Sequence, residues 1–470
     1  IALQNFGMCL QNYNLNNQSE IVNKHIINLL EKDNILRPVD IIKSLINYIY
    51  LNLEFKEIIE NAEKLNKKYK IEVLINKILN EKIFILLLQI TPIVDLKIEG
   101  FLKFLRKEIL LNISLIKNTN LALDLVKIIA KQCFINEYIY TTEQIEETVI
   151  KKLDKEIENA LKKNNYSKLV LKIACLATYK SLNNYKWSNK INNLHEISDL
   201  VNQQINEPEL ELSLKKEIIA RDINDRISVK VKNQYESNPY PRWTKISLNN
   251  TPDNVINYAN KRKLSIEIEE IKKWDNINVL VAGCGTGQHA ITTATKYKNS
   301  FVTAIDLSSK SLCYAKRKAD ELDIKNIEFI EMDILDLKNY SKKFEIIESV
   351  GVLHHMKEPI TGWQILSNIL KPHGLLMIGL YSEKARQHIK RIRSIIKNLN
   401  YEINEKNIKL LRNEIIITDT EDNNLIKDST DFYSLSALRD LLFHVQEHRF
   451  TIDKIKKDLD KLGLMFLGFE

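Results

Sequence analysis

The chain has 470 residues, 44% of them hydrophobic and 28% charged, and a formal net charge of +8. That is the balance of a globular protein with room for roughly two to four domains, and it excludes a disordered chain. The basic excess is mild and spread out, unlike the concentrated stripes of a nucleic-acid binder.

The cysteines, Cys9, Cys133, Cys175, Cys284 and Cys313, are scattered with no C-x-x-C pair. Neither a zinc site nor a disulfide frame follows from them, and a reducing cytoplasm fits best. No apolar run approaches the roughly 20 residues of a membrane span. Only Gly7 and Gly100 precede position 283, whereas nine glycines lie from there onward. So long a stretch with so little glycine reads as helix after helix. Apolar residues recur at helical spacing over Ile21–Leu30 and Val39–Tyr50, and Pro38 marks a helix start. Phe84–Ile90, then Pro92, then Phe101–Leu111 repeat the helix-break-helix logic. Leu121–Cys133, Ile145–Leu161 and the more apolar Leu169–Tyr179 continue it, and paired helices of this kind can stack as a solenoid. Asn206–Ser237 reads as a charged connecting helix. Asn238-Pro-Tyr-Pro-Arg-Trp243 cannot be helical. It is either a strap between domains or a lid over a ligand, carrying Tyr240, Arg242 and Trp243.

From 278 the pattern alternates. Strands are predicted at Val279–Ala282, Phe301–Ile305, Ile327–Met332, Phe344–Val350 and Gly374–Leu380. Helices are predicted at Gln288–Tyr297, Leu312–Leu322 and Ile360–Leu370. Met465–Phe469 is a last strand, after which such a sheet usually has an antiparallel return. The expected fold is α/β, a Rossmann-like doubly wound, mostly parallel sheet preceded by a large all-helical region.

The first strand runs straight into Gly283-Cys284-Gly285-Thr286-Gly287-Gln288. The dinucleotide pattern G-x-G-x-x-G would need glycine where Gln288 stands. The G-x-G-x-G spacing therefore points away from NAD and toward S-adenosylmethionine, laid against main-chain N–H groups at a helix start. The second strand ends on Asp306, 19 residues after Gly287 (306 − 287). A carboxylate there suits a ribose, with Leu307 and Ser308 beside the adenine. Met332 and Ile334 are expected to sandwich the ring while Asp333 accepts from its amino group; the alternative role for Asp333 is a helix cap. The fourth strand brings Glu348, Ser349, Val350, His354 and His355 toward the methyl group, and adjacent histidines point different ways. Glu383–Lys397 is basic, either a solvated helix face or a binding surface. His444-x-x-Glu447-His448 is one written order of a zinc-helix motif. No third ligand is identifiable and methyl transfer needs none, so no metal is expected.

These motifs resemble the class I S-adenosylmethionine-dependent methyltransferases over roughly 206–470. More narrowly, Gln132-Cys-Phe-Ile-Asn-Glu-Tyr138, Tyr235-Glu-Ser-Asn-Pro-Tyr-Pro-Arg-Trp243 and Phe443-His-Val-Gln-Glu-His448 resemble bacterial methyltransferases joined to tetratricopeptide repeats. The AT-rich composition resembles their rickettsial members, protein lysine methyltransferases that modify outer membrane protein B. The resemblance implies a cytoplasmic homodimer with helical domains around an open cavity, acting on protein lysines. The chain is expected to divide into helical regions 1–78 and 79–205, a cofactor-binding core 206–386 and a helical insertion and C-terminal region 387–470 with the return strand. A lysine nucleophile must lose a proton, at a cost of roughly 4–5 kcal/mol at pH 7. Tyr240, His354, Tyr381 and His444 are the candidate acceptors. An RNA or a quinone-like small molecule is the alternative substrate.

Overall fold

The computed structural model describes residues 19–61, 71–116, 119–163, 169–399 and 402–469; Gly7 and Cys9 lie outside them. The predicted helices of the first half form close to their expected bounds, at Glu20–Glu31, Ile42–Ile49, Lys82–Ile90, Leu96–Leu111, Asn120–Ile135, Gln144–Lys162 and Leu169–Leu176. Their starts carry chemical signatures. Asp95 accepts from the Ile98 N–H at 2.8 Å, Thr119 accepts from the Ala122 N–H at 3.2 Å, and Glu143 with Glu146 closes a capping box.

A further set of helices, Gln387–Asn398, Glu405–Ile417, Glu421–Lys427 and Leu435–Phe443, packs into the same apolar core as those first-half helices. The described parts of regions 1–78, 79–205 and 389–443 thus share one interior. At its centre Arg412 grips Glu99 through two hydrogen bonds of 2.7 and 2.5 Å, and its Nε donates to the Phe432 carbonyl at 2.9 Å. Burying this pair is tolerable because each polar atom is matched.

The sheet holds β1 (Ile219–Ala220), β2 (Ile277–Ala282), β3 (Ser300–Asp306), β4 (Ile327–Glu331), β5 (Phe344–Val350) and β6 (Leu370–Gly379). Its order is β1-β4-β3-β2-β5-β6, and every described pairing within it is parallel. Side chains of β2 alternate: Val279 and Val281 enter one apolar cluster, Leu280 and Ala282 the other. That period of two, with helices on both faces, is what the sequence pattern dictates.

Two expectations are corrected. Asn206–Ser237 is not one helix: Glu207–Leu214 ends, β1 pairs with the open edge of β4, and Asp225 caps a new helix, Arg226–Ser237. The Ile218-Ile219 pair, suited to a pleated edge, interrupts it. Met465–Phe469 is not a strand either. Gly463, left-handed at φ +64°, closes the Ile452–Leu462 helix, and the tail then turns to Ser265, whose N–H donates to the Leu467 carbonyl.

Candidate functional site

The sheet order changes direction at β2, which lies between β3 and β5. In open α/β sheets the crevice at such a point is where ligands bind. Here the glycine turn leaves β2. Gly285 has φ +54°, and a Cβ there would lie 2.8 Å from the Tyr240 carbonyl oxygen; Gly287 has φ +83°, and a Cβ would lie 2.5 Å from that of Ala315. The first glycine lets the Tyr240 strap close over the turn, and the second lets the Ser309–Glu321 helix pack beneath it.

A cavity of about 1930 Å³ opens above this turn. Gly283, Cys284, Gly285, Gln288, Asp306, Leu307, Met332, Asp333, Ile334, Val350, Tyr240 and Tyr381 line it. Asp306 is fixed in place: its carboxylate accepts from the Gly285 N–H at 2.8 Å and the Ser308 N–H at 2.9 Å. Burial raises its pKa, and those backbone donors oppose the rise. Asp333 lines the cavity and caps a short turn, accepting from the Leu335 N–H at 3.0 Å, the alternative role considered for it. An acceptor pair spaced along two strand ends, apolar Met332 and Ile334, and a turn with three glycines fit the ribose, adenine and amino-acid parts of S-adenosylmethionine.

Other predicted residues are used by the fold itself. Trp243 donates from Nε1 to the Thr286 carbonyl at 3.1 Å, and the Thr286 hydroxyl donates to the Pro241 carbonyl. Arg242 faces Glu137 of the helical body at 3.5 Å. Arg242 and Trp243 therefore act as a strap, and neither reaches the cavity. Gly287 packs against Ala315. Ser308 caps the following helix through the Ser311 N–H. Ser349 donates to the Ala282 carbonyl at 3.0 Å, inside the sheet. Glu348 is tied to Thr293, His289 and Lys296 at 2.6, 2.8 and 2.8 Å. Despite its burial, His289 and Lys296 hold its pKa at about 2.

The histidines divide differently from expectation. β5 ends at Val350, and a short turn, Leu353–His355, follows. That turn sends His355, not His354, to the cavity wall. His354 is sealed, its ring stacked 3.7 Å from Tyr381; burial and then His355 depress its pKa to about 2. Arg386 also stacks on this tyrosine, 3.6 Å from the ring centroid. His444 lies just past the end of the Leu435–Phe443 helix. His444 and His448 thus share no helix face. Glu447 between them is bound by Arg386 at 2.9 Å and Arg393 at 3.2 Å. With Arg391 on Asp422 at 2.5 Å, much of the basic run is neutralised within the chain.

Sequence reasoning missed the acids of this recess. Asp440, almost wholly buried, lines the cavity and accepts from the Tyr235 hydroxyl at 2.6 Å. Asp431 accepts from the Tyr240 hydroxyl at 3.3 Å. Burial pushes both carboxyls up to about 6, and ionised Asp440 adds to the rise at Asp431. The available signal was an acid directly before the apolar run Leu441–Phe443.

One donor atom each of His355, Asp440 and His444 lies within 4.8 Å of the other two. The Gln446 backbone decides their tautomers: its carbonyl pairs with His355 Nδ1 at 2.7 Å, and its N–H donates to His444 Nδ1 at 3.1 Å. The proton of neutral His444 therefore sits on Nε2, which removes that lone pair from metal binding.

Residues 273–433 match a family model described as a methyltransferase domain. An uncharacterised Synechococcus protein is 29% identical over 199 residues, 41% of this chain and 48% of that one. The (S)-tetrahydroprotoberberine N-methyltransferase of Eschscholzia californica is 30% identical over 136 residues, 29% of this chain and 39% of that one. The solved structure of PKMT2 from Rickettsia typhi superposes at a TM-score of 0.34 and 20% identity, covering 42% of this chain and 40% of that one. The chain thus spans less than half the length of these relatives. With the glycine turn, Asp306 and Asp333 arranged around one crevice, the conclusion is that this chain carries a methyltransferase domain of the S-adenosylmethionine-dependent type.

Proposed function

We propose that the protein transfers the methyl group of S-adenosylmethionine to lysine amines of a protein, an envelope protein of the outer membrane protein B kind being the substrate that the resemblance implies. The observation that carries the amine is the recess beyond the cofactor wall. It holds Asp431, Asp440, Tyr235, Tyr240 and Tyr381. Its histidines are uncharged, with His355 held at about 4 mainly by burial. Such a recess draws a cation and gives nothing to a phosphate or carboxylate.

Bound S-adenosylmethionine supplies an electrophilic methyl group. In this proposal Asp306 takes its ribose hydroxyls, Asp333 its adenine amino group, and the glycine turn its amino-acid part. Tyr240 closes the crevice from above. The cavity exceeds the roughly 300–1,000 Å³ typical of small-ligand sites, which supports a macromolecular side chain entering beside the cofactor. The paired arginines of 386–393 disfavour RNA. The buried, free Cys133, Cys175, Cys284 and Cys313 favour a cytoplasmic reaction. No helix among the described residues is long and apolar enough to cross a membrane. A homodimer belongs to the same proposal and is read by sedimentation. Incubation with methyl-labelled S-adenosylmethionine and envelope protein, RNA or lipid extract tests the substrate. Methyllysine in the acid hydrolysate is expected; label in RNA or lipid alone would overturn the reading.

A further inference from the structure

Asp440 lines the same cavity as the glycine turn. It lies on the Leu435–Phe443 helix. One carboxylate oxygen is held by Tyr235 at 2.6 Å. The other has no hydrogen-bond donor among the described residues. Asp431, Tyr240 and Tyr381 are near enough to feel its charge, and the Tyr240 carbonyl lies beside the glycine turn. A ring nitrogen each of His355 and His444 lies within 4.8 Å of its carboxylate, with the two rings stacked 3.5 Å apart. Arg386 and Arg393 stand farther back, both engaged by Glu447. Among the described residues, no other Lys or Arg acts on the carboxylate as strongly as these two engaged arginines.

The other titratable groups nearby are less suited. Asp431, also raised to about 6, and His354 do not line the cavity. His444 Nδ1 is occupied by the Gln446 N–H. His355 is a weaker base than Asp440, since burial drives its pKa down to about 4. Tyr240 donates its proton to Asp431. Tyr381 is held protonated by burial and by the charge of Asp440.

Resting on the amine reading, we propose that Asp440 binds the incoming ammonium and takes its proton, with Tyr235 as a positioning residue that holds the carboxylate. The proton passes from nitrogen to the Asp440 carboxylate. The freed nitrogen lone pair then forms the bond to the methyl carbon as the carbon–sulfur bond breaks, and that electron pair leaves with sulfur. Asp440 releases the proton to solvent through the open cavity. The elevated pKa of the carboxyl, about 6, makes this transfer less uphill than to an ordinary aspartate.

The test compares wild type with Asp440→Asn, Tyr235→Phe and Asp431→Asn, on envelope protein as methyl acceptor and with S-adenosylhomocysteine binding measured by calorimetry. Asp440→Asn should lose about 100-fold or more in kcat while S-adenosylhomocysteine affinity stays within about twofold. Wild-type kcat should fall on the acid side near pH 6. Tyr235→Phe removes a donor that favours the ionised carboxylate, so its acid limb should move to higher pH. Asp431→Asn removes a neighbouring negative charge, so its limb should move to lower pH. If Asp440→Asn fails to bind S-adenosylhomocysteine, the opposite shifts of the other two variants decide. Methyllysine formed with unchanged kcat by Asp440→Asn, or an acid limb that neither flanking variant moves, overturns the role of Asp440. Label in RNA or lipid without methyllysine from wild type overturns the amine reading instead.

Discussion

Replacing Asp440 with asparagine should stabilise the fold while it disables the reaction. The carboxyl climbs from about 3.9 in an unfolded chain to about 6 in the recess. A folded-state pKa above the unfolded one means that stability is full below about pH 4 and falls as pH rises through 6. At 1.36 kcal/mol per unit, the fully ionised group costs about 3 kcal/mol. Asparagine keeps an acceptor for the Tyr235 hydroxyl and removes the charge. Asp440→Asn should therefore gain about 3 kcal/mol at pH 8 and only about 1 kcal/mol near pH 4.5. Urea unfolding followed by circular dichroism at both pH values reads this directly. An equal change at the two pH values, or a loss at pH 8, would refute the electrostatic account. A gain in stability bought with a loss of turnover is what a strained functional carboxylate should show.

Asp306→Ala should weaken S-adenosylhomocysteine binding roughly 10- to 100-fold, the worth of a charged hydrogen-bond pair; unchanged calorimetric affinity would place the ribose elsewhere. Gly287→Ala forces a side chain into a left-handed turn and against Ala315, and should destabilise by about 2 kcal/mol or more in denaturant. Arg412→Met leaves Glu99 buried without its partner and should cost about 3–5 kcal/mol; the double variant with Glu99→Leu should recover most of it. Chelation with EDTA should leave methylation unchanged, because His444 Nε2 carries a proton; activity lost to EDTA and restored by zinc would contradict that tautomer.

The strand–glycine–helix unit was legible because it is local. An apolar run, three glycines with no room for a side chain and an acid at the next strand end all lie within one stretch, 278–306. β5 has the predicted bounds, Phe344–Val350, and the first-half helices differ from theirs mainly at their ends. The recess was not legible because Tyr235, His355, Tyr381, Asp431 and Asp440 come from distant segments that only tertiary packing unites. The choice between His354 and His355 depends on a short turn that carries no periodic signal. His444-x-x-Glu447-His448 reads as a helical motif in sequence, yet the helix stops at Phe443. Trp243 and Thr286 looked like cofactor ligands for a sound reason, proximity to the glycine turn. Their polar atoms are taken by main-chain groups, which composition cannot reveal.

The shared core of the helical body has a consequence for synthesis. Its first wall, Ile26–Ile205, leaves the ribosome before any of Ile389–Phe443 exists. At about 5–20 residues per second the delay is roughly 10 to 40 s. During that interval Glu99 has no Arg412, and apolar faces meant for the later helices remain uncovered. The sheet must complete itself in between, tethered to an unfinished neighbour. A chain interrupted between Ile205 and Arg412 is therefore left with an open core and an acid without its partner, a natural target for chaperones and proteases.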